Sequence, residues 1–200
     1  MDLVNIKPRY INKLDQITGL SEADKLELKP VAEKFAFRTN DYYQSLIDWN
    51  DPHDPIRRIV MPDIQELDEF GELDASNELS YTVVKGLEHK YQDTALLLVN
   101  NVCGAYCRFC FRKRLFTDGN DEVTNDISDA VAYIEEHPEI NNVLLSGGDP
   151  LIMSIVSFAP RGMWRIMPAC TSLTVVAPPP CVTRNVPAPS QTITVSRPGR

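Results

Sequence analysis

Cys103, Cys107 and Cys110 stand at a C-x3-C-x2-C spacing. Cysteine thiolates are soft ligands, and three this close in sequence can meet at one metal centre without a long loop having to close. Four thiolates would satisfy a [4Fe–4S] cluster, so three leave one coordination position for something else. The same three could hold a structural zinc, with a fourth ligand from His89, Cys170 or Cys181. Structural zinc usually draws on paired C-x2-C knuckles, and the chain has one such pair. A second stretch, Gly147-Gly148-Asp149-Pro150, reads either as an ordinary turn or as a backbone cradle. The run Arg108, Arg112, Lys113, Arg114 has the usual meaning of a solvated basic face. Cys170 and Cys181 have no partner pattern.

These residues need elements to position them. The apolar run Ala95–Val99 predicts a strand over Thr94–Val99 that is buried on both faces, with the cysteines in the loop at its carboxyl end. After a mostly polar stretch, Leu115–Val123, Thr124 or Asn125 is expected to cap a helix. That helix would bury Ile127, Val131 and Ile134 and end at Pro138. Val143–Leu145 is the next strand. Strand, helix, strand with a short return is a βαβ unit with parallel strands. It brings Gly147, Gly148 and Asp149 to the end of the sheet that carries the cysteines. Residues 1–90 read as helices and loops. Ser21–Asp24 resembles a capping box, Pro30 is not expected deep inside the helix that follows, and Asn40 is a candidate cap. Asp51–Pro55 reads as a stop. His53 and His89 read as surface side chains.

Composition sets further bounds. A net charge of −8 argues against a general nucleic-acid or anionic-membrane binder. Five cysteines, an odd number, with neither a signal-like start nor a long apolar run, point to reduced thiols and a cytoplasmic setting. The charge is unevenly spread. All 28 acidic residues precede Ile155, whereas residues 155–200 hold five arginines, no Asp, Glu or Lys, and eight of the 15 prolines.

The stretch Tyr106-Cys-Arg-Phe-Cys-Phe-Arg-Lys-Arg114 resembles the cluster loop of radical S-adenosylmethionine (SAM) enzymes, and within them the lysine 2,3-aminomutase family. Tyr42–Asp48, Asp54–Arg58, Gly86–Tyr91 and Val143–Leu151 extend the resemblance over roughly Asp41 to Ser154. It implies an α/β fold, the start of a partial (β/α)6 barrel of about two βα units after a helical amino-terminal region. It further implies that Cys103, Cys107 and Cys110 hold a [4Fe–4S] cluster whose open iron takes SAM. Reduction of that cluster would then yield a 5′-deoxyadenosyl radical. Tyr106 and Phe109 would shield the cluster. Gly147, Gly148 and Asp149 would receive SAM's methionyl amine, the glycines by allowing close approach. Arg112 would pair with a substrate carboxylate, for which a guanidinium fork is suited.

The implied reaction moves the amino group of a basic amino acid from C2 to C3, with pyridoxal phosphate (PLP) as a further cofactor. The implied partners are an amino-acid substrate and an external electron donor of flavodoxin or ferredoxin type, with neither nucleic acid nor membrane; a homo-oligomer is compatible with it. An elongation-factor lysine as substrate, or a non-catalytic metal-binding fragment, are the alternatives. The resemblance ends near Ser154, short of the region that carries the family's PLP lysine. The chain therefore divides into a helical region (1–90), the first part of a barrel (91–154) and a Pro/Arg-rich tail (155–200). The tail is expected to be disordered and foreign to the family. A chain of this kind is expected to be inactive alone.

Overall fold

A computed structural model describes residues 8–68, 70–152, 172–177 and 191–196. The chain divides into two compact units, residues 1–72 with 104–113, and residues 73–103 with 114–200.

The first unit is built on helices. Helix α1 (Glu22–Lys34) opens on the expected capping box: Ser21 Oγ accepts from the Asp24 amide at 3.1 Å, and the Asp24 carboxylate accepts from the Ser21 amide at 3.2 Å. Pro30 does lie inside this helix, contrary to expectation. The carbonyl it leaves without a donor belongs to Leu26, a residue on the exposed side, where water can serve it. Fully buried Val31 holds the turn in place from the other side.

Asn40 caps α2 (Asp41–Leu46) by accepting from the Tyr43 amide at 3.0 Å. Helix α2 ends at Leu46, before the Asp51–Pro55 stretch expected to stop it, and that stretch instead starts α3 (Pro55–Val60). Asp54 caps it, accepting from the Arg57 amide at 2.7 Å, and Pro55 sits in the first turn, where a missing N–H costs nothing. Strands β1 (Tyr10–Ile11) and β2 (Thr39–Asn40) pair antiparallel. Ile11, Ile17, Leu20, Phe37, Ile47, Val60 and Met61 form the core, joined by Ala105 from the cysteine loop.

The second unit is a six-stranded mixed sheet. Its strands are β3 (Thr82–Val84), β4 (Leu87–Tyr91), β5 (Thr94–Asn100), β6 (Asn142–Gly147), β7 (Ser172–Ala177) and β8 (Gln191–Ser196), in that spatial order. Pairing is antiparallel from β3 to β5, parallel from β5 to β7, and antiparallel between β7 and β8. The predicted βαβ unit is present as β5, α4 (Ser128–Glu136) and β6. In the β5–β6 ladder Leu97 lies opposite Leu145. Leu97, Leu98 and Val99 are all buried in β5, as a strand covered on both faces requires. Ala130, Val131 and Ile134 of α4 pack with Leu97, Val143 and Leu145.

Four details differ from expectation. The hairpin β3–β4 occupies residues read as helix and loop; its short, charged second strand (Leu-Glu-His-Lys-Tyr) carries no clear alternation. Helix α4 is started by neither Thr124 nor Asn125. The Thr124 hydroxyl folds back on Asp126, and the Asp126 carboxylate accepts from the Ser128 amide at 3.0 Å. Twelve residues of the tail, 172–177 and 191–196, are strands, their runs Leu-Thr-Val-Val and Thr-Ile-Thr-Val being rich in β-branched residues. The rest of 155–200, including Cys170 and Cys181, lies outside the described residues. The α/β composition agrees with expectation, and β3–β8 form one open mixed sheet among the described residues.

Among the described residues no helix is long and apolar enough to cross a membrane.

Candidate functional site

In the second unit, β5 and β6 end side by side; three hydrogen bonds join the loops that leave them, and a fourth braces the first loop. The Gly148 amide donates to Asn100 O at 2.7 Å, and the Asp149 amide donates to Val102 O at 2.8 Å. Asn100 Nδ2 donates to Asp149 O at 2.8 Å, while its Oδ1 accepts from the Val102 amide at 2.9 Å. The Gly147–Asp149 turn is therefore fastened to Asn100–Val102, the three residues immediately before Cys103.

This contact explains the glycines. Gly147 has φ +128°, and a Cβ there would stand 2.2 Å from Asn100 O. A Cβ on Gly148 would meet Val102 O at 2.4 Å. The close approach that demands glycine is thus between two stretches of this chain, whereas the sequence had suggested approach by a ligand. A cleft of about 480 Å³ opens at the same end of the sheet, lined by Asn100, Asn101, Val102, Asn125, Lys85 and Asp121 among others.

Residues 104–113 belong to the first unit, where Arg38, Asn40 and Ile59 hold them. The Tyr106 amide donates to Arg38 O at 2.9 Å, the Arg108 amide to Ile59 O at 2.8 Å, and Asn40 Nδ2 to Gly104 O at 3.0 Å. Asn40 thus caps α2 with one side-chain atom and holds the cysteine loop with the other. The Cys110 amide closes a turn on Cys107 O at 3.1 Å.

The basic run is not a solvated face: Arg108, Arg112 and Arg114 are all buried. A run of like charges is legible in sequence, but most of the carboxylates that neutralise it lie far away in the chain. Arg108 grips Glu66 with two parallel bonds of 2.9 and 2.8 Å and donates to Ala36 O at 3.0 Å. Lys113 shares the same Glu66 and lies over the Phe35 ring at 4.2 Å. Burial pushes the Glu66 carboxyl up. The hydrogen bonds from Arg108 and Lys113 outweigh that and hold it below its ordinary 4.5.

Arg114, in the second unit, is met by Glu78 at 2.8 Å, Glu122 at 2.9 Å and Asp74 at 3.3 Å. Burial would lower its pKa, but Glu78 and Glu122 raise it. Arg112 is buried, with its guanidinium 4.9 Å from the Phe111 ring centre. Phe109 is 73% exposed and Tyr106 is half-buried. His53 lies in an exposed turn, whereas His89 is half-buried and shares a 3.0 Å hydrogen bond with the Tyr133 hydroxyl.

Cys103, Cys107 and Cys110 are half-buried thiols outside any disulfide. Cys103 falls in the second unit, Cys107 and Cys110 in the first. Among the described residues no three His, Cys, Asp or Glu side chains are gathered as a metal ion needs. Three thiols in one loop are the donor type a soft metal centre takes, although their side chains are not drawn together here.

Of the residues that shape this region, Asn100, Arg38, Ile59 and Glu66 were not singled out from sequence. Asn100 alone had a local signal, a polar side chain ending an apolar strand.

No family model matches the chain. It is 63% identical over 148 residues to a putative L-lysine 2,3-aminomutase of Aquifex aeolicus, a match covering 74% of this chain and 40% of that protein. To the L-lysine 2,3-aminomutase of Fusobacterium nucleatum it is 37% identical over 147 residues, 72% of this chain and 35% of that one. To the glutamate 2,3-aminomutase of Clostridioides difficile it is 35% identical over 146 residues, 72% and 34%. All three carry the name of an amino-acid aminomutase, the first as putative, and such enzymes are isomerases. Within that class, the chain belongs to the lysine 2,3-aminomutase family. It spans about two fifths or less of the length of these relatives.

Proposed function

We propose that this chain supplies the cluster- and SAM-binding part of a radical SAM aminomutase that moves an amino group of an amino acid from C2 to C3. The observation that carries the proposal is the fastening of Gly147–Asp149 to Asn100–Val102, because it ties the second motif to the residue before the first cysteine. Cys103, Cys107 and Cys110 would hold a [4Fe–4S] cluster, which when reduced supplies the electron that cleaves SAM. Asp149 and the backbone beside it would accept hydrogen bonds from the methionyl ammonium. Arg112, held in a buried position, would orient the substrate carboxylate with its fork.

PLP would be a further cofactor of the reaction. An external electron donor of flavodoxin or ferredoxin type would reduce the cluster, and a cytoplasmic setting would keep the thiols reduced. The test is anaerobic reconstitution with iron and sulfide, followed by SAM titration watched by electron paramagnetic resonance of the reduced cluster. A spectrum that shifts on adding SAM supports the reading, and a cluster indifferent to SAM at millimolar concentration would refute it.

A further inference from the structure

We infer that Asn100 is a positioning residue that sets the Gly147–Asp149 turn for SAM, an inference that rests on the SAM-binding function proposed above. Asn100 is the last residue of β5 and is buried. Both ends of its amide are used, one on a near neighbour and one on a distant stretch of the chain. Nδ2 reaches Asp149 O, 49 residues away, while Oδ1 holds the Val102 amide. No other uncharged side chain of this size offers one donor and one acceptor so close to the backbone. Asp has no donor when ionised, Ser and Thr are shorter, and Leu has neither group.

The register makes this clamp necessary. The β5–β6 ladder runs residue for residue from Thr94–Asn142 to Leu98–Ser146, then slips, so that Asn100 rather than Val99 lies opposite Gly147. The regular ladder ends at that slip, and the turn beyond it depends on bonds outside the ladder. Two of these are backbone bonds, from the Gly148 and Asp149 amides. Both arrive at Asn100–Val102, whose conformation the Asn100 side chain fixes through the Val102 amide. The same side chain fixes the far partner through Asp149 O. With Gly147 at φ +128° and no room for a Cβ on either glycine, the turn has one seat and Asn100 holds both sides of it.

The test uses the full chain and two variants, Asn100→Asp, which keeps the acceptor for Val102 and loses the donor to Asp149, and Asn100→Ala, which loses both. Amide hydrogen exchange is read first, without cluster or SAM. The inference predicts about tenfold faster exchange at Gly148 and Asp149 in Asn100→Asp, and more in Asn100→Ala. The Leu97 and Leu145 strand amides should stay protected, which shows that the sheet is folded. After reconstitution, iron content in Asn100→Asp should equal that of the parent chain, while the SAM dissociation constant rises about tenfold. Unchanged exchange at Gly148 and Asp149 in both variants overturns the inference. So does unchanged SAM affinity alongside faster exchange, since the turn would then be positioned for something else. If the parent chain with a full cluster ignores SAM, the proposed function fails, and the exchange data still decide whether Asn100 holds the turn.

Discussion

Gly148 has no space for a methyl group, and that single fact separates two explanations of a glycine-rich turn. A glycine kept for an incoming ligand could become alanine with little change to the ligand-free chain. A glycine pressed against Val102 could not. Gly148→Ala is therefore expected to destabilise the second unit by about 2 kcal/mol, because Val102 or the turn must shift. Denaturant melts of the cluster-free chain measure it, and a change within error would mean the turn yields easily.

Glu66 makes a second prediction at the residue scale. Its carboxyl is lower in the folded chain than its ordinary 4.5, so its contribution is fully present above that value and is lost as pH falls through the folded one. The Arg108 and Lys113 bonds to it, which hold the 104–113 segment in the first unit, should loosen below about pH 4.5. Glu66→Gln should cost about 3 kcal/mol at neutral pH by leaving a buried Arg108 unmatched, and should flatten this acid dependence. Equal pH profiles for the parent chain and the variant would contradict the assignment.

Elements were legible where a period or a cap is local. The β5–α4–β6 unit follows from an apolar run, a helical stripe and a second run, and Ser21 and Asn40 act as caps as their residue types suggest. Other features were hidden because their causes are non-local. Pro30 sits inside α1 because Val31 is buried next to it, and tertiary burial outweighs one missing hydrogen bond. The β4 strand is specified by its pairing with β5 more than by its own five residues. Strands β7 and β8 stand in a segment whose proline and arginine content suggested disorder, yet β7 pairs with β6 over Asn142–Leu145.

That pairing has a consequence for truncation. A chain ending at Ser154 would leave the β6 edge bare, and unpaired edges aggregate. Such a deletion should lower soluble yield several-fold, measured by expression and size-exclusion chromatography. A monomeric product in undiminished yield would show that β7 contributes little.

For the whole molecule, the site was legible as motifs before it was legible as an arrangement. The cysteine spacing and Gly-Gly-Asp after a strand are written in adjacent residues. The partners that set them are not: Glu66 lies 42 residues from Arg108, and Asn100 lies 49 from Asp149.

The central claim is that Cys103, Cys107 and Cys110 together hold one iron–sulfur cluster, and Mössbauer spectroscopy of the chain reconstituted anaerobically with iron-57 and sulfide tests it most directly. A [4Fe–4S] quadrupole doublet in the parent chain, lost in each of Cys103→Ala, Cys107→Ala and Cys110→Ala and kept in Cys170→Ala, is the predicted result. A full cluster surviving in Cys107→Ala, or tetrahedral zinc bound in place of iron, would contradict it.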